Sequence, residues 1–369
     1  MAEGLRYPFE TPPVPGAARE VAEGVLWMRL PLPMKLDHVN VYALDDGDGW
    51  TLVDTGMNSK LARGLWDRLL AGPLAGRPVR RVVVTHHHPD HIGLAGWFQQ
   101  QGAELVTTRT AWLFARMLQL DAQETPPPEQ IAFWQRCGMA PEILARRSGE
   151  RPFNFADCVY PLPLGFTRIA EGDVLRAGGR DWDIRIGHGH APEHATLWSR
   201  DDALVLAGDQ VLSTISSNLG VYATEPQADP VGDWLASCER LLPHARADHL
   251  VLGGHKLPFT GLPFRLRQLI DNHHSALDRL EAHLDQPQAA GDCFAPLFKR
   301  RIGDAEYGLA LVEAMAHCQH LHLTGRATRH PGPGGAWLWQ ASRACDSLRP
   351  DAASEGVTPS AKSANSRAG

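Results

Sequence analysis

The chain lacks an excess of positive charge, a CxxC pair and any apolar run of membrane-spanning length. Its 36 Lys and Arg stand against 42 Asp and Glu, a net charge of −6. That balance argues against a general basic field for nucleic acid. The six cysteines, Cys137, Cys158, Cys238, Cys293, Cys318 and Cys345, are scattered. Such spacing suits reduced thiols rather than a disulfide framework or a zinc knuckle. The opening stretch MAEGLRYPFETPPVPGAARE has no apolar h-region, and no later run approaches the length of a span. A cytoplasmic protein with no membrane partner is the expectation. Hydrophobic residues make up 43% and charged residues 21% of the 369, ordinary for a soluble protein with a large core and two domains.

Histidine is the residue in surplus, with 18 copies, many of them clustered. The densest cluster lies in RRVVVTHHHPDHIGLAGW, residues 80–97. Val82–Val84 reads as a buried strand, followed by a turn and a helix. His86, His88, Asp90 and His91 therefore sit where a strand hands over to a helix. Imidazole and carboxylate are ligands that zinc, iron and manganese accept. Three candidate His donors and one Asp within six residues are hard to explain as turn chemistry. On a near-extended loop, His86, His88 and Asp90 share a face, and His91 reaches a second point. One loop would then serve two metals. His87 should point away from both.

The rest of the chain frames this loop. Residues up to about Arg19 are Pro-rich and read as a loose arm. GVLWMRLPLP and HVNVYALDDGDGWTLVDTG are strands, with DDGDG as a hairpin turn. SKLARGLWDRLLAGP is a helix stopped by Gly72 and Pro73. Strands first and βα units afterwards imply sheet layers flanked by helices. Residues 110–150 form an insertion, AWLFARMLQL and PEQIAFWQRCGMAPEILARR, with helical spacing. Its Trp112, Phe114, Phe133 and Trp134 either pack or line a pocket as a lid, and packing is the commoner use of such aromatics. Later apolar strands or turns end in GHGHAPEH, in Asp209 of LAGDQ and in His255 of LGGHK. Glycine beside such residues lets backbone approach a crowded site, and sites on sheets gather at strand ends. From about residue 261 a long helix, a second helix and two strands around HPGPGG make a small winged-helix-like domain to about residue 342. The tail from residue 343 is Ser/Ala-rich and reads as disordered.

These residues together resemble the metallo-β-lactamase-fold hydrolases. THHHPDHIG is similar to their HxHxDH signature. His190 matches the His opening their HxPxx turn, Asp209 their bridging Asp, His255 their last His, and Asp54 of LVDTG their early supporting Asp. The resemblance covers about residues 20–260 and implies an αββα sandwich, an α/β (α+β) fold with metals at one edge. It implies His86, His88 and His190 on one metal, Asp90, His91 and His255 on the other, and Asp209 between them. His188 and His194 are left outside the ligand set, and Trp182 and Trp198 read as core. Asp at the bridging position departs from antibiotic-hydrolysing members and resembles the glyoxalase II-like thioesterases and lactonases. No glutathione-binding pattern accompanies it. The sandwich with a winged-helix-like domain also resembles a subgroup that includes mitochondrial β-lactamase-like endoribonucleases, an analogy of architecture alone.

Two divalent ions, zinc first with iron or manganese as alternatives, would lower the pKa of a shared water towards about 7. Asp90 and Asp209 are the carboxylates expected to matter in catalysis. Tyr222, His38 and Asn40 are candidate donors to an oxyanion, each with a structural role as the plainer reading. Ser213, Ser216 and Ser217 read as polar loop residues. The leading function is hydrolysis of an ester or thioester, an acyl thioester or lactone, with a small acyl molecule as partner and no nucleic acid. The alternatives are a metal-dependent endoribonuclease, a di-iron redox protein and a non-enzymatic metal-binding protein. Lys299, Arg300 and Arg301 form the one compact basic cluster. All the ligands fall in the sandwich, so residues 262–342 are expected to be dispensable for the chemistry itself. The sequence leaves the oligomeric state open.

Overall fold

The computed structural model describes residues 4–342. Cys345 and the tail expected to be disordered lie outside the described residues. An antiparallel meander opens the fold: β1 (Arg19–Ala22), β2 (Val25–Pro31), β3 (His38–Asp45) and β4 (Trp50–Val53). Helix α1 (Lys60–Ala71) follows, then β5 (Val79–Val83), the single turn α2 (Pro89–Ile92), α3 (Ala95–Gln100) and β6 (Glu104–Thr107). The insertion supplies α4 (Arg109–Leu120), α5 (Pro128–Arg136) and α6 (Pro141–Gly149) before β7 (Thr167–Arg168). These strands form one seven-stranded sheet in sequence order, parallel from β4 onward. A second sheet holds β8 (Val174–Ala177), β9 (Arg180–Gly187), β10 (His194–Ser199) and β11 (Leu204–Gly208). After α7 (Pro230–Leu241), β12 (Leu250–Gly253) joins it in parallel beside β11. The second sheet's order is β12-β11-β10-β9-β8.

Period-two patterning builds the layers. In β2 and β3, Val25, Trp27, Tyr42 and Leu44 face the second sheet, where they meet Trp182, Ile184, Leu197 and Leu252. The alternate residues Met28, Leu30, Val39 and Val41 face outward onto Leu65 and Trp66 of α1 and Phe98 of α3. On the far side of the second sheet, Val205 and Val251 pack beneath Val231 and Trp234 of α7. Helix, sheet, sheet, helix is the sandwich expected. Trp182 and Trp198 are both buried in it. Among the described residues, all five cysteines are free and buried, as the spacing suggested.

The C-terminal unit runs α8 (Leu262–His283), β13 (Gln288–Ala289), α9 (Phe294–Phe298), α10 (Asp304–Leu323), β14 (Ala327–Pro331) and β15 (Trp337–Ala341). Its three strands pair in the order β13-β15-β14, a winged-helix-like arrangement. This unit does not hang free. Leu262, Leu266, Leu269 and Leu277 of α8 and Leu311 and Met315 of α10 share one apolar cluster with Trp198, Val231, Trp234 and Val251 of the sandwich.

Two other readings change. The expected loose arm is tied down where Arg6 exchanges both backbone hydrogen bonds with Thr260. The second helical stretch of the insertion is two helices, because Gly138 takes a left-handed φ of 71° and Pro141 starts the next helix.

Candidate metal centre

All seven expected donors converge at one end of the two sheets. His86, His88, Asp90 and His91 follow β5, His190 follows β9, Asp209 follows β11 and His255 follows β12. Nδ1 of His88 lies 3.0 Å from Nε2 of His86 and 3.0 Å from Nε2 of His190. Nearby, Oδ2 of Asp90 lies 3.5 Å from Nε2 of His91 and 3.4 Å from Nε2 of His255. Between the two groups, Oδ2 of Asp209 lies 3.5 Å from Nε2 of His190, 3.5 Å from that of His91 and 3.1 Å from that of His255.

The face assignment for the loop needs correction. His88 is extended, with φ −62° and ψ 147°, but Pro89 begins a helical turn. Proline at the first helical position fixes that turn. It swings Asp90 away from His86 and His88 and groups it with His91 and His255. His87 behaves as expected: its ring packs 5.2 Å from that of Phe114 and stacks 6.3 Å from that of Phe155. His194 also stays outside. It stacks on His86 at 4.6 Å and accepts the Asp209 backbone N–H at 3.0 Å.

A second layer of contacts aims the imidazoles. Nδ1 of His91 lies 2.7 Å from the Asp54 carboxylate, which also accepts the Thr85 backbone N–H at 2.8 Å and its hydroxyl at 2.9 Å. Thr85 Oγ1 in turn meets Nδ1 of His86 at 3.0 Å. His255 points Nδ1 at the His38 carbonyl, 2.7 Å away, and His190 points Nδ1 at the Asn218 carbonyl, 2.9 Å away. Contacts of this kind fix tautomer and orientation. Asp54 performs its part from a left-handed φ of 61°, rare for a residue other than glycine and typical of constrained sites.

Two of the oxyanion candidates prove structural. Asn40 donates to the carbonyls of Gly253 and Lys256, and His38 accepts the Lys256 N–H, so both brace the loop that carries His255. Gly254 matters to that loop, because a Cβ there would come within 2.2 Å of Asp209 Oδ1 and 2.7 Å of His91. Tyr222 stands at the cleft mouth. The cleft, about 120 Å³, is lined by His87, His88, Phe114, Pro192, Tyr222 and Glu225, with Asp233 beside His188. Of the insertion's aromatics only Phe114 reaches it. Phe133 and Trp134 join one apolar core, and Trp112 another.

The electrostatics suit cations. Burial and neighbouring imidazoles hold His86 and His88 well below the usual histidine range, so both are neutral electron-pair donors. For His255 burial opposes charge, but Asp209 and Asp90 outweigh it and push the group up to about 10. Burial alone would raise Asp209, yet His255 and His91 hold it well below the ordinary carboxyl range. The buried Nε2 of His91 has no hydrogen-bond partner among the described residues, although two carboxylate oxygens face it at 3.5 Å. A buried polar atom so placed calls for a third party. Three groups of donors, His86/His88/His190, His86/His91/Asp209 and Asp90/His91/His255, are each compact enough to hold an ion.

Fold and donor set together define a metallo-hydrolase. Residues 34–255 match the metallo-beta-lactamase superfamily, and the chain belongs to it. Residues 277–342 match the metallo-beta-lactamase-like C-terminal domain. A probable metallo-hydrolase, YqjP of Bacillus subtilis (strain 168), is 27% identical over 320 residues, covering 84% of this chain and 95% of its own length. A beta-lactamase domain protein from Burkholderia ambifaria is 35% identical, with a TM-score of 0.83 over 92% of this chain and 98% of that one. The metallo-beta-lactamase family protein TTHA1429 from Thermus thermophilus is 26% identical, with a TM-score of 0.72 over 88% of this chain and 100% of that one.

What the sequence did not reveal is the supporting layer: Thr85, the His38 carbonyl and the Asn218 carbonyl. A backbone carbonyl carries no residue-type signal. Among the described residues, no helix is long and apolar enough to cross a membrane.

We predict that His88→Ala loses metal and nearly all activity, whereas His87→Ala keeps most of both. Metal content by elemental analysis and turnover, measured side by side, check this. Equal damage from the two would mean that His87 also faces the metals.

Proposed function

We propose that the chain holds two divalent ions, zinc first, and hydrolyses a small ester or thioester, an acyl thioester or a lactone. The observation that carries this reading is Asp209 Oδ2, which stands within 3.5 Å of imidazoles from both donor groups. His86, His88 and His190 would hold one ion and Asp90, His91 and His255 the other, with Asp209 shared. Ions so held would supply a hydroxide at neutral pH and take up negative charge developing on the carbonyl oxygen.

The chain's own residues do the rest. Asp54 and the His38 and Asn218 carbonyls keep the ring nitrogens aimed inward. Asp90 keeps 17% of its side chain exposed, and its carboxylate can take the proton from the hydroxyl of the tetrahedral adduct and return it to the leaving oxygen or sulfur as the C–O or C–S bond breaks. Phe114, Pro192 and Tyr222 offer an apolar wall to an acyl chain.

Charge favours a small acyl substrate over RNA. Glu225 and Asp233 line the cleft, and among the described residues no Lys or Arg does. Arg168 and Arg240 occupy a separate cleft of about 250 Å³ across His188, where Glu171 and Glu193 offset them. Of the basic trio near residue 300, Arg300 is paired with Glu306 at 2.8 Å. Protein purified without chelator should carry about two equivalents of metal. It should turn over a member of a panel of acyl thioesters and lactones faster than any short RNA. A fixed single equivalent would sink the two-ion reading. Cleavage of RNA that falls steeply with salt would replace the hydrolase of small acyl compounds with the nuclease.

A further inference from the structure

Helix α10, in the C-terminal unit, reaches the supports of the metal centre. The segment 217–221 runs between them. Ser217 donates its hydroxyl to the Asp209 carbonyl, and the Asn218 carbonyl accepts from Nδ1 of His190 at 2.9 Å. Three contacts from α10 pin that segment. The Asn218 side-chain amide donates to the Glu313 carboxylate at 2.6 Å and to the Leu309 carbonyl at 3.3 Å. The Val221 backbone N–H donates to the Val312 carbonyl at 3.2 Å. Leu219 and Val221 fill the spaces between, both fully buried against the cluster that contains Leu311 and Val312.

Glu313 is otherwise idle. Among the described residues its side chain makes no other hydrogen bond and no ion pair within 4 Å. Burial pushes this carboxyl up to about 7, and the hydrogen bond from Asn218 is the largest contact opposing that rise. The amide it holds belongs to the residue whose own carbonyl aims His190.

We propose that Glu313 is a positioning residue for His190, acting through Asn218, so that the C-terminal domain sets the geometry of the first metal position. This rests on the two-ion reading given above. Glu313 fixes the Asn218 side chain, the fixed side chain holds the backbone of residue 218, and its carbonyl holds the His190 ring with Nε2 inward. Loss of the carboxylate frees the loop to shift by a few tenths of an ångström. The ligand set tolerates such a shift poorly, and contacts behind a metal ligand typically change affinity by about 10–100-fold.

The test is competition for zinc between a chelator and the full-length protein, in wild type, Glu313→Ala, Glu313→Gln, Asn218→Ala and the Glu313→Ala/Asn218→Ala double variant. Glu313→Ala and Asn218→Ala should each weaken one of the two equivalents by about tenfold and leave the other unchanged. The double variant should be no worse than the poorer single, because both break one chain of contacts. Glu313→Gln keeps an acceptor oxygen and should stay within about twofold of wild type. A merely structural role would lower the thermal midpoint of the metal-free protein and weaken both equivalents alike, which overturns the proposal. So does unchanged zinc affinity in Glu313→Ala while wild type binds normally. A wild type that takes up no zinc overturns the metal centre itself, a separate result read from the first titration.

Discussion

Asp209→Asn should give a folded protein that turns over about a thousandfold more slowly and holds less metal, a loss of about 4 kcal/mol of transition-state stabilisation. The substitution keeps the size of the side chain and removes its charge. Three imidazole nitrogens lie within 3.5 Å of Asp209 Oδ2, so every cation bound nearby feels that oxygen. An amide offers a weaker acceptor and no negative charge to offset mutual repulsion of two cations. The backbone N–H of Asp209 donates to His194 and its carbonyl accepts from Ser217, and neither contact needs the carboxylate. Circular dichroism should therefore stay close to wild type, while metal content, turnover and the metal-dependent part of the thermal midpoint fall together. Full metal content with wild-type turnover would remove Asp209 from the shared position.

Truncation after residue 261 should yield no stable protein, although residues 262–342 carry none of the proposed ligands. The deleted part takes with it Leu262, Leu266, Leu269, Leu277, Leu311 and Met315, all buried in the cluster shared with Trp198, Trp234 and Val251. Each such side chain contributes roughly 1.5–3 kcal/mol on burial, so six contribute on the order of 10 kcal/mol. A whole domain's net stability is about 5–15 kcal/mol. The truncated chain would also bare Trp234 and Val251 to solvent. Expression of residues 1–261 should give insoluble protein, or soluble protein without a cooperative melting transition. A monomeric fragment with a sharp transition near that of the full chain would show that the sandwich stands alone.

The donors were legible because their signals are local. Val82–Val84 ahead of THHHPDH marks a strand end, and glycines beside Asp209 and His255 mark close approach. Layering was legible for the same reason: in β2 and β3 alternate residues face opposite cores. An extended loop would put Asp90 on the face of His86 and His88, but Pro89 starts a turn that places it with His91 and His255, as the family resemblance implied. Long-range contacts left no trace. Asn218 lies 95 residues from Glu313, and the carbonyl it offers His190 would be the same from any residue type. Helical spacing in the insertion could not separate Phe114, at the cleft, from Phe133, in the core, because an aromatic at helical spacing carries no sign of what covers it. The arm's attachment, too, is backbone pairing, between Arg6 and Thr260.

Asp54, His86, His88, Asp90 and His91 come from the first sheet, and His190, Asp209 and His255 from the second. Any cation held among them is a rivet through both leaves of the sandwich. Its affinity is then also a contribution to keeping the leaves together, since it binds the assembled form and has nothing comparable to bind in the separated one. Chelation would then remove more than a reactive water. It would also unpin one edge of the molecule, the edge that carries the donors.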